Sequence, residues 1–316
     1  MSMKFTMRQL FESEPYILAP EIYDCISARA VEECGFKATV LSSAELANSY
    51  GLPDLGLLTQ TDVVEATRRI CRYSNLPMIV DAEEGFGRAL NAYLTAELLA
   101  AAGAGGVLMT DLDEIGLKGS LSIPEAKARF KAASMALRGT DAILVARTEY
   151  QPDEGLQAAC DRCNHYIDVG ADMVLIHFGI NPYPGDKMEM CDFVSKRVPG
   201  WKWFPDLNAD DHVNLAEIAK MGFVFTGVHY LQTSAMQSML DYGVQMYRRQ
   251  DNCYKDVNRI APEGIAPATM MNFDLWFNRE KEILEDPDLD LKGNYKMFYH
   301  HGFIPADRAS SVQLNK

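Results

Sequence analysis

Eight short apolar segments recur along the chain, and each is followed by a longer segment with helical spacing. This alternation is typical of βα units, in which parallel strands are covered by helices. The predicted strands are, in order, Tyr16–Pro20, Ala38–Ser42, Met78–Glu83, Gly106–Asp111, Ala142–Glu149, Met173–Phe178, Trp201–Asp206 and Phe223–His229. Eight units favour closure into a (β/α)8 barrel, the TIM barrel. An open doubly wound sheet is the alternative, but no GxGxxG motif follows the first strand to support a dinucleotide fold.

Helical spacing also defines the segments between and after the strands. The predicted helices include Thr61–Ser74, Asn91–Ala102, Ile123–Leu137, Glu154–Val169, Asp186–Arg197, Asp211–Lys220, Gln232–Arg249 and Met270–Leu284. Thr59 and Ser122 stand where side chains can cap the first turn of two of these helices. A length of 316 residues fits one barrel with an extension. We therefore predict a catalytic barrel over residues 1–249 and a helical extension over residues 250–316.

The predicted terminal helix carries many large apolar side chains, among them Phe273, Trp276 and Phe277. Such a surface needs a partner, either on its own barrel or on another subunit. We expect the second, and hence a homo-oligomer. The expected assembly is a homotetramer arranged as a dimer of dimers.

The net charge of -14 argues against a nucleic-acid surface or an anionic membrane as partner. An anionic substrate remains possible, because a metal ion and one or two arginines can reverse the local field. The first ten residues contain no apolar signal core, and no apolar stretch is long enough to span a bilayer. We therefore expect a cytoplasmic protein whose seven cysteines, including the Cys160/Cys163 pair, are free thiols.

Polar side chains cluster where the predicted strands end. In barrels of this kind the active site lies at the carboxyl ends of the strands, so these residues are candidates for function. They are Ser42, Ser43, Asp81, Glu83, Thr110, Asp111, Arg147, Glu149, His177, Asp206, Asn208 and His229.

Asp81 and Glu83 are two residues apart on one predicted strand, so their side chains should share a face and can converge on one cation. Carboxylate oxygens suit Mg²⁺ or Mn²⁺. The alternative is that both residues cap helices at the strand end. Gly85 and Gly87 would let the following loop approach the site closely.

Arg147 follows the apolar run 143–146, where an inward guanidinium needs an anion. A bidentate grip on a substrate carboxylate suits its geometry, and a structural ion pair with Glu149 or Glu83 is the alternative. His177 can be a base, a metal ligand or a hydrogen-bonded core histidine. The residues alone leave this choice open.

With these residues in view, the chain resembles the isocitrate lyase and phosphoenolpyruvate mutase superfamily, and in particular its methylisocitrate lyase-like and oxaloacetate decarboxylase-like members. The resemblance runs from about Met7 to His229. Its motifs span residues 23–29, 41–42, 51–56, 81–87, 146–149 and 170–173. Gly-Leu-Pro-Asp-Leu-Gly at 51–56 and Asp-Ala-Glu-Glu-Gly-Phe-Gly at 81–87 are the specific ones.

This resemblance implies a barrel whose eighth helix is exchanged between subunits, a Mg²⁺ or Mn²⁺ site, and small 2-oxo or 2-hydroxy carboxylic acids as substrates. A C–C or P–C bond breaks in such enzymes to leave an enolate, which the metal and an arginine stabilise. The implied metal residues are Asp81, Glu83 and Asp111. The implied substrate-binding residues are Tyr23, Ser42, Ser43, Arg147 and Asn208. The implied catalytic residues are Asp54, Arg147 and His177.

The chain also departs from the pattern of the superfamily. Thr110 replaces a metal-supporting glutamate, and His177 replaces the glutamate that usually ends the sixth strand. Glu83 and Glu149 each stand where aspartate is usual, and Ser43 where glycine is usual. The gating-loop segment 112–120 lacks the cysteine that protonates the enolate in the lyases. A cysteine-dependent mechanism is therefore not expected. Other candidate proton donors are water, Glu45, Lys118, His177 and Tyr150.

The leading hypothesis is a metal-dependent carbon–carbon lyase or decarboxylase acting on a small di- or tricarboxylic acid. Phosphonopyruvate-type P–C mutase or hydrolase chemistry is the second. A divergent barrel that serves as a non-catalytic subunit is the third.

Overall fold

The computed structural model of the protein describes residues 5–113, 119–205, 213–251 and 271–289. Eight parallel strands close into a barrel in chain order, with β1 paired to both β2 and β8. The strands are β1 Ile17–Ile22, β2 Thr39–Leu41, β3 Met78–Asp81, β4 Gly106–Thr110, β5 Ile143–Glu149, β6 Met173–His177, β7 Trp201–Trp203 and β8 Phe223–Val228. The prediction of a (β/α)8 barrel is confirmed, and the open-sheet alternative is wrong.

Helices follow the strands as the alternation predicts. They are α1 Met7–Ser13, α2 Cys25–Glu33, α3 Ser43–Ser49, α4 Gln60–Tyr73, α5 Ala89–Ala102, α6 Ile123–Leu137, α7 Gly155–Asp168, α8 Lys187–Ser195, α9 Leu215–Lys220, α10 Leu231–Arg249 and α11 Phe273–Ile283. Thr59 caps α4 as expected, with its hydroxyl accepting from the Asp62 backbone N–H and its own N–H donating to the Asp62 carboxylate. Ser122 makes no side-chain cap on α6, and its hydroxyl donates instead to Glu125 at 2.5 Å.

Two apolar layers stabilise the barrel. The larger lies between the strands and the surrounding helices and includes Phe130 and Tyr166, whose ring centroids are 4.4 Å apart. The smaller fills the barrel interior and includes Ile79, Val145 and Phe225. Burying so many large apolar side chains supplies most of the stability of such a domain.

The first helix covers the amino end of the barrel. Its residues Met7, Leu10 and Phe11 are buried and belong to the interior layer. Phe11 packs on Trp201, the first residue of β7, with ring centroids 4.8 Å apart. The carboxyl ends of the strands are therefore the end at which a ligand site can form.

The contacts divide the chain into two units, Met1–Thr233 and Ser234–Lys316. The second unit contains most of α10 and all of α11. Exposed apolar side chains on α10 are Met236, Met239, Leu240, Val244, Met246 and Tyr247. Among the described residues, none of the helices combines the length and the apolar character needed to cross a lipid bilayer.

Candidate active site

A cavity of about 410 Å³ lies at the carboxyl ends of the barrel strands. Its apolar lining residues Val40, Leu108, Leu175 and Trp203 belong to the interior layer or lie next to it along the strands. Its polar lining residues are Glu21, Ser42, Ser43, Asp54, Asp81, Glu83, Glu84, Thr110, Arg147, His177 and His229. Nine residues predicted as functional are thus brought together: Ser42, Ser43, Asp54, Asp81, Glu83, Thr110, Arg147, His177 and His229.

Asp81, the last residue of β3, is held by two hydrogen bonds. The Ser43 hydroxyl donates to Oδ2 at 3.1 Å, and the Glu83 backbone N–H donates to Oδ1 at 3.1 Å. Glu83 lies beyond the strand with φ +51°, in the left-handed region. Glu83 therefore reaches the cavity through a turn and not through strand alternation, which differs from the geometry that its spacing predicted.

Four carboxylates make this side of the cavity strongly acidic. The pKa of Glu83 is raised to about 8, first by burial and then by the charges of Asp81, Asp54 and Glu84. Burial and the charge of Asp81 also raise the pKa of Asp54, while Arg147 opposes this shift. Such mutual repulsion is relieved when a cation binds between the carboxylates.

Arg147 forms an ion pair with Glu149 two residues further along β5. Its Nη2 lies 2.5 Å from Oε1 of Glu149, and its Nε donates to the same oxygen at 2.7 Å. The Arg147 side chain is 22% exposed and lines the cavity, whereas that of Glu149 is fully buried. Burial tends to lower the pKa of Arg147, but Glu149 and Asp81 raise it above its usual value. The structural ion pair considered from the sequence is present, and it leaves the guanidinium at the cavity wall.

His177 at the end of β6 completes this group. Its Nδ1 lies 2.9 Å from Oε2 of Glu149 and 3.0 Å from Nη2 of Arg147. Although burial raises the pKa of Glu149, the hydrogen bond from His177 and the charge of Arg147 lower it below its usual value. The ionised Glu149 carboxylate can accept from Nδ1–H, while Nη2 of Arg147 and the Gly179 backbone N–H, both donors, lie within hydrogen-bond distance of the same nitrogen.

A second polar group contains a residue that the sequence did not single out. Glu21, on β1, is buried, and its Oε1 lies 3.2 Å from Nε2 of His229. Nδ1 of His229 lies 3.5 Å from Oε1 of Glu45 on α3. The signal for Glu21 was an acidic residue inside an otherwise apolar strand. It was missed because the predicted first strand ended at Pro20.

Among the described residues predicted to bind metal or substrate, Asp111 and Tyr23 lie away from the cavity lining. The Asp111 carboxylate accepts from Tyr166 at 2.5 Å and from Thr148 at 2.7 Å, on the helix side of the barrel wall. Thr110, its neighbour on the strand, is the residue that lines the cavity. Tyr23 does not line the cavity either, and its backbone N–H donates to the Ser27 hydroxyl at 3.2 Å.

Other sequence predictions fall outside the described residues. Asn208 and Lys118 are among these, together with residues 114–118 of the gating-loop segment. The two sides of that segment are joined by a bridge between Leu112 and Ser120. Arg129 of α6 holds the start of this segment in place by donating to the carbonyl oxygens of Thr110 and Leu112 at 2.8 and 2.7 Å.

Gly85 allows the acidic loop to lie against α5. Its φ is +83°, and a Cβ at this position would lie 2.9 Å from Cβ and 3.1 Å from Cα of Ala92. We therefore expect Gly85→Ala to lower the free energy of unfolding by about 3 kcal/mol, from backbone strain and overlap together. Urea denaturation measures this loss. Gly139→Ala is the matched control, since Gly139 has φ +79° but open space around it, and should cost about 1 kcal/mol. Equal losses in the two variants would contradict the packing role.

Some known proteins are similar to this chain in sequence, and some solved structures are similar to it in fold. The profile of the family described as phosphoenolpyruvate phosphomutase matches residues 7–245. The petal death protein of Dianthus caryophyllus is 38% identical over 186 residues, which are 56% of this chain and 58% of that protein. The 2-methylisocitrate lyase of Aeropyrum pernix is 36% identical over 173 residues, 53% of this chain and 56% of the relative. The chain thus spans less than three-fifths of the length of these curated relatives.

Among solved structures, phosphonopyruvate hydrolase in complex with oxalate and Mg²⁺ has a TM-score of 0.76 and 23% sequence identity. The match covers 89% of this chain and 99% of that one. At this identity the likeness concerns the fold, and it agrees with the closed eight-stranded barrel. The family match covers most of the chain and confirms the resemblance seen in the motifs. The chain therefore belongs to the phosphoenolpyruvate phosphomutase family, within the isocitrate lyase and phosphoenolpyruvate mutase superfamily.

Proposed function

We propose that the protein is a metal-dependent lyase or decarboxylase that breaks a carbon–carbon bond in a small 2-oxo or 2-hydroxy di- or tricarboxylic acid. The observation that carries this proposal is a cavity with clustered carboxylates and the Arg147 guanidinium in its wall. A cation among the carboxylates and a fixed guanidinium form two positive anchors for an anionic substrate. The volume of about 410 Å³ suits a molecule of this size.

The donor set fits Mg²⁺ or Mn²⁺ held by Asp81 and Glu83. Within the described part of the chain, no group of three or more His, Cys, Asp or Glu side chains is arranged to hold a metal ion by itself. Mg²⁺ commonly takes one or two carboxylates and completes its shell with water and substrate oxygens, so two carboxylates are sufficient. Thr110 supplies no carboxylate, and we leave Asp111 out of the proposed site because it does not line the cavity and its Oδ2 accepts from Tyr166 and Thr148. The metal, when bound, supplies Lewis-acid stabilisation of negative charge that develops on the substrate oxygens.

The protein side chains hold and orient the substrate. Arg147 offers the exposed edge of its guanidinium to a carboxylate, and its position is fixed by Glu149. Ser42 and Ser43 lie at the start of α3, where backbone N–H groups favour the other anionic end of the substrate. Asp54 stands on the segment between α3 and α4 and lines the same cavity.

A panel of oxaloacetate, methylisocitrate and alkylmalates, each with Mg²⁺ or Mn²⁺, tests the proposal. We expect metal-dependent release of pyruvate or another 2-oxo acid from at least one member. A second candidate is P–C bond mutation or hydrolysis, which the match to the phosphomutase family favours. Turnover of phosphonopyruvate followed by ³¹P NMR decides between the two. Absence of both activities, with metal affinity that Asp81→Ala leaves unchanged, would point to a non-catalytic subunit.

We further propose that α10 packs against a second copy of the chain, within a homo-oligomer built as a dimer of dimers. Met239, Leu240 and Tyr247 on this helix are 69%, 62% and 79% exposed. A row of such side chains is typical of an interface. The helix that follows β8 is α10, and its exchange between subunits would account for these exposed side chains.

We expect Met239→Asp to shift the protein to a smaller assembly, because the new charge would be buried without a partner in the interface. Light scattering coupled to size-exclusion chromatography measures the mass. Met135→Asp on α6 is the matched control, since Met135 is also exposed, at 44%. A wild-type monomer, or equal masses for both variants, would contradict the proposal.

The division into a barrel over residues 1–249 and an extension over residues 250–316 remains a proposal. We also propose a cytoplasmic location. The six described cysteines, including Cys160 and Cys163, are free thiols, as a reducing compartment maintains them. Subcellular fractionation tests the location.

A further inference from the structure

His229 lies between two glutamates at the edge of the cavity. Its Nε2 is 3.2 Å from Glu21, and its Nδ1 is 3.5 Å from Glu45. The imidazole is 53% exposed, whereas the side chains of Glu21 and Glu45 are 11% and 9% exposed. A carboxylate oxygen thus stands beside each ring nitrogen, so a proton on either nitrogen has an acceptor.

The fold keeps this arrangement in place. Gly227 leaves the space that Glu21 occupies, since a Cβ at residue 227 would lie 2.4 Å from Oε1 of Glu21. Gln232 donates to the carbonyl oxygen of Glu45 at 2.6 Å and accepts from Asn48 at 3.0 Å, which holds α3 in place. Both contacts lie within the unit formed by residues 1–233.

Glu21 and His229 share the cavity with the acidic group around Asp81. Burial, followed by the charges of Asp81 and Glu45, raises the pKa of Glu21 to about 7, although His229 lowers it. Glu45 has its Oε2 buried without a hydrogen bond to the described residues. Glu21 can therefore hold a proton at neutral pH, beside Nε2 of His229.

We propose that His229 is the acid–base residue that protonates the carbon of the enolate, with Glu21 and Glu45 as its positioning residues. This inference rests on the proposed function, because it assigns the proton donor of that reaction. His177 shares the Glu149 carboxylate with the Arg147 guanidinium, whereas His229 has a carboxylate beside each ring nitrogen. The His229 side chain is 53% exposed, against 22% for His177, and both residues line the cavity.

The proton transfer balances as follows. Cleavage of the C–C bond leaves its electron pair in the enolate of the departing product. The enolate carbon takes a proton from the His229 imidazolium, so a C–H bond forms, the N–H bond breaks, and the carbonyl is restored. The N–H electron pair stays on the ring, which regains a proton from solvent by way of Glu21 or Glu45. No oxidant or further reactant is needed.

Hydrogen–deuterium exchange at the methyl group of pyruvate tests this step apart from bond cleavage. Wild-type protein with Mg²⁺ in D₂O should catalyse the exchange, which ¹H NMR follows. We expect His229→Ala to lower the exchange rate by about 100-fold or more, and added imidazole to restore part of it. Its affinity for Mn²⁺ should stay near that of wild type. His165→Gln, a histidine on α7 outside the cavity lining, is the control.

Each outcome has a distinct meaning. Unchanged exchange and cleavage by His229→Ala would overturn this inference and leave the proposed function standing. Loss without rescue by imidazole, together with a lowered melting temperature, would mean a structural role and would also overturn it. If His229→Ala fails to fold, His229→Gln takes its place and must lose exchange while keeping the wild-type melting temperature. If wild type neither exchanges pyruvate nor cleaves any acid of the panel, the proposed function itself fails.

Discussion

Asp81→Asn is expected to weaken Mn²⁺ binding by at least about 100-fold and to lower kcat by a similar factor. Mutating a residue that only supports a metal ligand lowers metal affinity or activity by roughly 10- to 100-fold. Removing the charge of a ligand itself should lower them by at least the larger of these factors. The amide keeps the shape of the side chain and one acceptor for the Ser43 hydroxyl or the Glu83 N–H, which both now donate to Asp81. Isothermal titration with Mn²⁺ and steady-state kinetics measure the two losses.

The same variant should be more stable than wild type when no metal is present. The pKa of Glu83 is raised from 4.5 to about 8 by burial and then by Asp81. A carboxyl whose pKa is raised in the folded state favours folding below its unfolded pKa, and this contribution is lost as the pH rises toward 8. Removing the Asp81 charge reduces the loss. The difference in melting temperature between Asp81→Asn and wild type, measured in EDTA, should therefore be larger at pH 8 than at pH 5.

Asp161→Asn on α7 is the control for both measurements, because Asp161 is exposed and accepts a hydrogen bond from Gln157. It should leave metal affinity and kcat unchanged. Wild-type Mn²⁺ affinity in Asp81→Asn would rule out the proposed metal site. A lower melting temperature for Asp81→Asn at pH 8 would contradict the electrostatic account of the cavity.

Arg147→Met is expected to lower the free energy of unfolding by about 3–5 kcal/mol, the cost of leaving one partner of a buried ion pair alone. Glu149 would keep His177 as a hydrogen-bond partner but would lose the guanidinium that lies 2.5 Å away. We also expect kcat/KM to fall by about 100- to 1,000-fold, as on loss of a preorganised charged donor. Urea denaturation and kinetics with the active acid measure the two effects.

A double variant separates stability from catalysis. Arg147→Met combined with Glu149→Gln removes both charges while keeping a hydrogen-bond partner for His177, so most of the lost stability should return. The activity should not return, because the carboxylate anchor is still absent. Recovery of both properties would show that Arg147 has a structural role and does not bind substrate.

The barrel and much of its site could be predicted from the sequence for a physical reason. The eight strands are short, apolar and separated by helical segments, so their hydrophobic pattern leaves few other architectures. Once the strands are placed, their carboxyl ends must meet, and Ser43, Asp81 and Arg147 line one cavity as expected. Their roles, unlike their positions, remain proposals.

What the sequence did not predict depends on the orientation of individual side chains. Side chains alternate along a strand, so Thr110 faces the cavity and the next residue, Asp111, faces α7. Glu83 does not follow that alternation, because its backbone is in the left-handed region. Partners distant in the chain, such as Glu21 and His229, come together across the closing pair of strands β1 and β8. Spacing in the sequence carries no information on such a contact.

The position of α1 across the amino end of the barrel affects the order in which the products are released. Within the described structure, Met7, Leu10 and Phe11 close that end, so substrate must enter and products must leave by the same passage. A cleavage reaction makes two molecules from one in that confined space. The product farther from the mouth cannot depart before the nearer one. Release should therefore be ordered, and the product that leaves last should compete directly with the incoming substrate.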